Sequence, residues 1–530
     1  MKCFNNPILG ISLAFILYSC ANIVAPTGGE KDNDKPKLTK TIPASGSINY
    51  KETEVKFIFS EWIQENNLKE ELIIIPTPDK YKTKVSRNTI TFYFDSSSLV
   101  KNTTYYFNLR EGIKDITEGN KSDSATLVFS TGTYIDSLEI AGSAKKALDN
   151  KPEKNTVVLV FAADYNFNLL KSRPLYHTKT EKNGDFRIQY MKPGNYYIYA
   201  FVDENNNGKY DENKEFIGYS NNNLNLKGTV SDINLKMVKE DHEHIIIKKI
   251  ESSKGKVPNL EFNKEISFIN IKKLRDTQDI VYPYINGKSL FLYTTKKVDT
   301  TSIIIETKNV LGNNGRDTIK IALDYTDTSK YLVVPNPGKG EIEPNQEITI
   351  QLSKPYKTFK PIISIKNGNK EYTNGDYTKV IKIKEDKMTG ILVISPINSW
   401  KDSVAIKLYP ETFEPICGYV RDTIKLNYTL KSVEKFGSIG GKVNCDAQKV
   451  LIQLVGKDSK IIKQTEHKDF LFEYLQEGEY NIRVVDDQNG NSLWDQGDYR
   501  TRKMPEIIYH YPDTLKLKAN WEILDVKISF

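Results

Sequence analysis

The sequence predicts an all-β chain built from several sandwich-like modules. Three observations carry this. Short alternating runs such as TITFYF, Thr89 to Phe94, recur along the chain and are separated by Gly, Asn and Pro. The composition favours strand formers, with 31 Tyr and 22 Phe against 5 Met. Beyond the N-terminal segment, no long stretch repeats apolar residues at the spacing of an amphipathic helix. At 530 residues the chain is too long for a single core, so several domains are expected.

The N-terminus reads as a processing signal. Lys2 supplies a positive start, and the apolar run Ile8 to Tyr18 is too short to span a bilayer. It ends in LYSC, Leu17 to Cys20, a small residue before a cysteine, as in a bacterial lipobox. Cleavage there would leave Cys20 as the lipidated N-terminus; an ordinary secretory peptide is the alternative. The following ANIVAPTGGEKDNDKPK is rich in Gly, Pro and charge and reads as a tether.

The modules follow in order. A first segment opens with IPASGSINYKETEVKFIFSEWI from Ile42 and continues through NTTYYFNLREGIKDITEGN, Asn102 to Asn120. It closes with KSDSATLVFSTG, Lys121 to Gly132. It resembles the bacterial Ig-like domain of S-layer and cell-envelope proteins. RDTIK, at Arg316 to Lys320 and again at Arg421 to Lys425, closes two further segments of similar length. VVPNPGKGEIEPNQEITIQLSKPY, from Val333, is a drifted copy of the first opening.

A second repeat aligns without a gap. DFRIQYMKPGNYYIYAFVDENNNGKYD begins at Asp185 and DFLFEYLQEGEYNIRVVDDQNGNSLWD at Asp469. Alternation on both sides of Gly194 and Gly478 predicts a hairpin packed on one face, followed by an Asn-rich loop. The stretch Gly184 to Tyr196 resembles the transthyretin-like (carboxypeptidase regulatory-like) β-sandwich. The expected map is signal peptide 1–19, tether 20–37, Ig-like 38–134, transthyretin-like 135–240, Ig-like 241–329, Ig-like 330–433 and transthyretin-like 434–530. As a whole, the chain resembles Bacteroidetes-type outer-membrane lipoproteins with Ig-like domains. That resemblance implies architecture and location, not chemistry. Lipoproteins of this type use acidic residues after the cysteine for surface export. Here the first acid is Glu30, which favours the periplasmic face of the outer membrane.

The two loops place side-chain oxygens on alternate residues, as a calcium loop requires. The first offers Asp203, Asn205, Asn207, the Lys209 carbonyl and Asp211, with Gly208 at the turn. The second offers Asp487, Asn489, Asn491, Asp495 and, in the twelfth position, Asp498. In the first loop the twelfth position is Lys214, and Glu215 falls one residue late. Calcium is the one cofactor the sequence puts forward. The competing reading is an Asx-turn loop whose Asp and Asn bond their own backbone. Tyr210 and Trp494 are expected to pack these loops on their sandwiches.

Cys417 and Cys445 remain after processing, and either pair across a module boundary or stay apart. His242 and His244, two apart, read as a surface pair with no third ligand in view. No nucleophile elbow, HExxH, phosphate-binding glycine loop or Cys-His pattern is present, so no catalytic residue is assigned and no enzyme is expected. A net charge of +7 spread along the chain excludes a nucleic-acid stripe. The expectation is a lipid-anchored β-rod serving as scaffold or accessory subunit of an outer-membrane assembly for barrel assembly, secretion or uptake. Its expected partners are outer-membrane proteins and, through the lipid, the membrane. The alternative is a cell-surface glycan-binding or adhesin-type module, with Trp62 as a sugar platform.

Overall fold

A computed structural model describes residues 31–530 except 79, 96–97, 165, 254, 274–280, 324–329 and 374. The signal segment and Cys20 lie outside the described residues. The described elements are strands apart from one helical turn and three short 3₁₀ segments. None of the described helices is long and apolar enough to cross a membrane. The chain divides into two units, one made of the residues up to Glu139 with Pro174–His177 and Ile188–Pro193, the other of Ile140–Arg173, Thr178–Arg187 and Gly194–Phe530.

In the first unit, Leu38–Ile42, Glu54–Phe59, Thr89–Phe94 and Tyr81–Ser86 form one antiparallel sheet. Ile73–Ile75, Thr104–Asn108 and Thr126–Ser130 form a second. EVKFIF at Glu54–Phe59 shows why. Val55, Phe57 and Phe59 point inward and are buried, while the intervening residues face outward. The core is aromatic: Phe107 is fully buried among Phe57, Phe92, Phe94 and Phe129, with ring centroids 5.5 to 6.2 Å away. The loop after Ile113–Asp115 is pinned by one carboxylate. Asp115 is buried and accepts N–H bonds from Glu118, Gly119 and Asn120 at 2.7, 2.8 and 2.8 Å. Burial alone would raise its pKa, but these donors outweigh burial and hold it below the usual carboxylate value.

The second unit contains the two sequence repeats, called twins here, apart from Pro174–His177 and Ile188–Pro193 of the first, with two further sandwiches between them. In the first twin, Leu138–Lys146 pairs in parallel with Val230–Met237, while Thr156–Ala162 pairs with Gly194–Val202. Ile217–Tyr219 and Leu224–Leu226 also pair with Gly194–Val202. In the second twin, Gly437–Asn444 pairs in parallel with Glu522–Ser529, and Val450–Val455 with Gly478–Asp486. Ile508–His510 and Leu515–Leu517 take the places of Ile217–Tyr219 and Leu224–Leu226.

The expected hairpin is corrected here. Asp469–Leu475 pairs with Gly437–Asn444, not with Gly478–Asp486, so the turn at Glu477-Gly478 carries the chain from one sheet to the other. Asp185–Met191 and Gly194–Val202 likewise fall in different sheets. Tyr190 and Tyr474, at matching positions, both take positive φ, 60° and 54°, and redirect the chain there. The alternation was read correctly, but each strand buries its apolar face from the opposite side of the sandwich.

Between the twins, one sandwich joins the sheet Ile247–Glu251, Asn259–Phe262, Ser289–Thr294, Val281–Asn286 to the sheet Phe268–Lys273, Val298–Lys308, Asn314–Leu323. The next joins Val333–Asn336, Ile348–Leu352, Ile391–Pro396, Ile381–Asp386 to a five-stranded sheet centred on Ser403–Leu408. The Tyr284 hydroxyl donates to the Leu352 carbonyl at 2.8 Å and ties these two sandwiches together. Ser399 meets the Tyr474 hydroxyl at 2.9 Å and ties the next pair. The Cys417–Cys445 bridge is not formed. Cys417 packs with Tyr284 and Tyr293, whereas Cys445 packs on the core of the second twin.

Candidate functional site: twin loops and a module clasp

Both Asn-rich loops are closed by their own hydrogen bonds. Asp203 is buried and accepts the N–H of Asn207 at 3.0 Å and of Gly208 at 2.9 Å. The Asn205 and Asn207 side-chain oxygens accept the N–H two residues on, at 3.0 and 2.7 Å. Lys209 takes part through this N–H donation to Asn207. Both Asn amides then donate to Asp211, at 2.5 and 3.0 Å. The second loop repeats this. Asp487 accepts from Gly490, Asn491 and Ser492, Asn489 and Asn491 form the same two turns, and both amides donate to Asp495. Tyr210 lies in the first twin's aromatic core, and the Trp494 indole N–H donates to the Glu506 carbonyl at 3.0 Å.

Each loop is closed by a further acid: Glu215, which falls one residue late in the sequence pattern, and Glu506, which the sequence pattern did not include. Glu215 is 1 % exposed and accepts the N–H of Glu204 and of Asp211 at 3.0 and 2.9 Å. Glu506, also buried, accepts the corresponding N–H groups of Gln488 and Asp495 at 3.0 and 3.1 Å. Glu506, not Asp498, therefore matches Glu215. Burial, then the nearby Asp charges, push both glutamates above the ordinary carboxylate range, although the N–H donors oppose this. For calcium the donors are of the right kind, but their arrangement does not fit. The Asn amide nitrogens, not oxygens, face Asp211 and Asp495, and the closing glutamates spend both oxygens on backbone N–H groups. Among the described residues, the acids of neither loop gather their ligand atoms within 4.8 Å of one another.

Glu215 follows Asp211 by four residues and Glu506 follows Asp495 by eleven, so the second loop carries seven extra. They form a finger, closed by reciprocal backbone bonds between Asp498 and Lys503 at 2.8 and 3.0 Å. The finger enters the first twin. Tyr499 and Met504 join the cluster of Val157, Phe161, Tyr199, Phe201 and Tyr219. The Tyr499 N–H donates to Glu240 at 3.0 Å, and its hydroxyl to Glu212 at 2.7 Å. Arg500 bonds Glu212 through two nitrogens at 2.9 and 2.7 Å, and Tyr219 donates to the Lys503 carbonyl at 2.6 Å. Arg502 lies 3.5 Å over the Tyr197 ring. The strictly serial order expected from the sequence is thereby corrected, because the last sandwich returns to the first twin.

A second seam runs beside the finger. Arg483 is buried, donates to Gln453 at 2.6 Å, and reaches the Leu148 carbonyl at 2.8 Å. His510 meets the Ala147 carbonyl at 3.0 Å. Burial, aided by Lys236 and Arg483, lowers the His510 pKa against the opposing effects of the Ala147 carbonyl and Asp149. The unfolded chain thus binds this proton more readily than the folded one. Stability should be lost as pH falls from the ordinary histidine value of about 6.5 towards the lowered one. Melting measured from pH 7.5 to 5 should show this loss in the native chain and a smaller one in His510→Gln. Equal losses in both would remove His510 from the seam's pH response.

The expected histidine pair is split. His244 is exposed, while His242 bonds Glu240 at 2.5 Å, within 3.7 Å of Asp498. Trp62 is 63 % exposed.

Two family models match parts of the chain. Residues 32–131 match the model of the bacterial Ig-like domain. Residues 151–246 match an uncharacterised protein conserved in bacteria (DUF2141). No curated protein matches the chain. Among solved structures, domains 1–6 of the surface layer protein SbsC are similar at 12% identity, covering 92% of this chain and 68% of that one, with a TM-score of 0.17. SGBP-B of the Bacteroides ovatus mixed-linkage glucan utilization locus, solved with a heptasaccharide, is similar at 12% identity. It covers 72% of this chain and 91% of its own, with a TM-score of 0.17. The major pilin subunit BcpA of Bacillus cereus is similar at 10% identity, covering 74% and 98%, with a TM-score of 0.13. At these scores the three structures carry no argument about use.

Proposed function

We propose that this chain is a non-catalytic scaffold or accessory subunit of an outer-membrane protein assembly, anchored by a lipid on Cys20 and facing the periplasm. The bacterial Ig-like match supports a binding or scaffold module. The observation that carries the reading is the clasp. A finger from the last sandwich, seated in the aromatic core of the first twin, makes the intervening sandwiches part of one fixed frame. Such a frame holds binding edges at set distances, which a scaffold needs and a flexible string does not provide.

The test is a mild-detergent pull-down of the lipidated protein from its native membrane, read by mass spectrometry. A stoichiometric outer-membrane barrel protein is the expected result. A protein recovered alone would sink the subunit reading. The exposed Trp62 favours one second reading, a glycan-binding module. On that reading the native chain would bind a glycan array and Trp62→Ala would not. Protease accessibility on intact cells tests the facing.

A further inference from the structure

The clasp surrounds a fully buried carboxylate. Glu240 is 0 % exposed; it accepts the Tyr499 N–H at 3.0 Å, and its Oε1 lies 3.0 Å from the Tyr219 hydroxyl, whose single proton is shared with the Lys503 carbonyl at 2.6 Å. Neither of these donors carries charge; Glu240 Oε2 also meets His242 Nε2 at 2.5 Å, and that ring brings a charge only when protonated. The Asp498 carboxylate lies on the finger, where it accepts the Arg500 N–H at 2.9 Å. Glu212 lies on the same seam, bonded to the Tyr499 hydroxyl and to Arg500. Among the described residues, the one basic side chain bonded to these three carboxylates, apart from His242, is Arg500, and it is committed to Glu212. A buried carboxylate without a full counter-charge is costly, and a cation removes that cost.

The donor atoms are already gathered. Glu240 Oε2, His242 Nε2 and Asp498 Oδ1 all lie within 4.8 Å of one another. The two separations from Nε2 are 2.5 and 3.7 Å. A tetrahedral ion with bonds of about 2.0–2.1 Å spreads its ligand atoms to about 3.3 Å, which these values bracket. A separate observation points to the same place. The Tyr210 hydroxyl is buried and has no hydrogen-bond partner among the described residues. Its ring meets Tyr499 edge-on at 5.5 Å, and Tyr499 meets the His242 ring at 5.8 Å. After burial, the Glu240 charge acts most strongly on that hydroxyl. A buried hydroxyl within reach of the Glu240 charge leaves a place that an ion or an ion-bound water could complete.

We propose that Glu240, His242 and Asp498 bind a divalent transition-metal ion that staples the two twins together. One imidazole and two carboxylates, with a fourth position left for water, suit zinc among the divalent transition ions. Tyr219 and the Tyr499 N–H, bonded to Glu240, would orient that ligand from behind. The Asn-rich loops, with oxygen and amide donors only, take no part.

The test uses the untagged full chain, stripped with a chelator and titrated with zinc alone by calorimetry, with melting followed in parallel. One zinc per chain and a raised melting temperature are expected. His242→Gln and Asp498→Asn, each less buried than Glu240, should keep the native circular dichroism spectrum and weaken zinc binding by about tenfold or more. Native chain that takes up no zinc overturns the proposal. So does uptake that either variant retains in full, because the ion would then sit elsewhere.

Discussion

Gly441→Ala should destabilise the second unit by about 3 kcal/mol, although it adds a single methyl group. Gly441 lies where Gly437–Asn444 runs parallel to Glu522–Ser529, just after the register shifts between Ile439 and Gly441. A Cβ built there would sit 2.1 Å from the Val526 carbonyl oxygen and 2.7 Å from the Val526 Cβ. Neither atom is the end of a flexible chain, so the two strands would have to separate. The bulge that shifts the register is what brings the backbones this close. Its twin is built the same way. Gly142 follows a shift between Ile140 and Gly142, and a Cβ there would meet the Ile233 carbonyl oxygen at 2.0 Å. Gly478→Ala is the control, since its nearest contact is the Tyr480 ring at 3.8 Å. Urea unfolding of the three variants reads the difference. A loss below about 1 kcal/mol in Gly441→Ala would mean that the strands part easily, and the bulge argument would fail.

Phe107→Ala should cost the first unit about 3–5 kcal/mol. The ring is fully buried and touches four other phenylalanines drawn from both sheets, so its removal leaves a hole that rigid neighbours cannot close. For a domain of about a hundred residues this lowers the midpoint by more than about 12 °C. Calorimetry of the whole chain should show that transition move while the transition of the second unit stays in place. Movement of both together would mean that the two units unfold as one.

The strands were legible because their physics is local. Alternation at Glu54–Phe59 and Thr89–Phe94 decides which side chains enter the core, and no distant residue is needed to read it. The twin repeat was legible for the same reason. The hairpin was misread because alternation gives the face a strand buries, not the sheet it joins. Tyr190 and Tyr474 at positive φ, which a sequence does not announce for tyrosine, send the chain across. Glu506 was missed because the seven-residue finger separates it from the Asp495 motif that it closes. Glu240 was missed for a harder reason. Its meaning depends on Tyr499, 259 residues away in the chain. The loop side chains Asp203, Asn205, Asn207 and Asp211 were read as one group and form one group, while Asp498 belongs to the finger.

The clasp also sets an order of events. Tyr219 and the Lys503 carbonyl that it binds are 284 residues apart. As the chain is synthesised from its N-terminus, Tyr197, Tyr199, Tyr219 and Glu240 are made long before the finger that covers them. Until the last sandwich forms, the first twin offers an open aromatic surface with a buried-type acid at its rim, the kind of surface that chaperones hold and proteases find. A chain that stops short of residue 498 keeps that surface open for good. Closing the first twin therefore waits until the chain has been made through Met504.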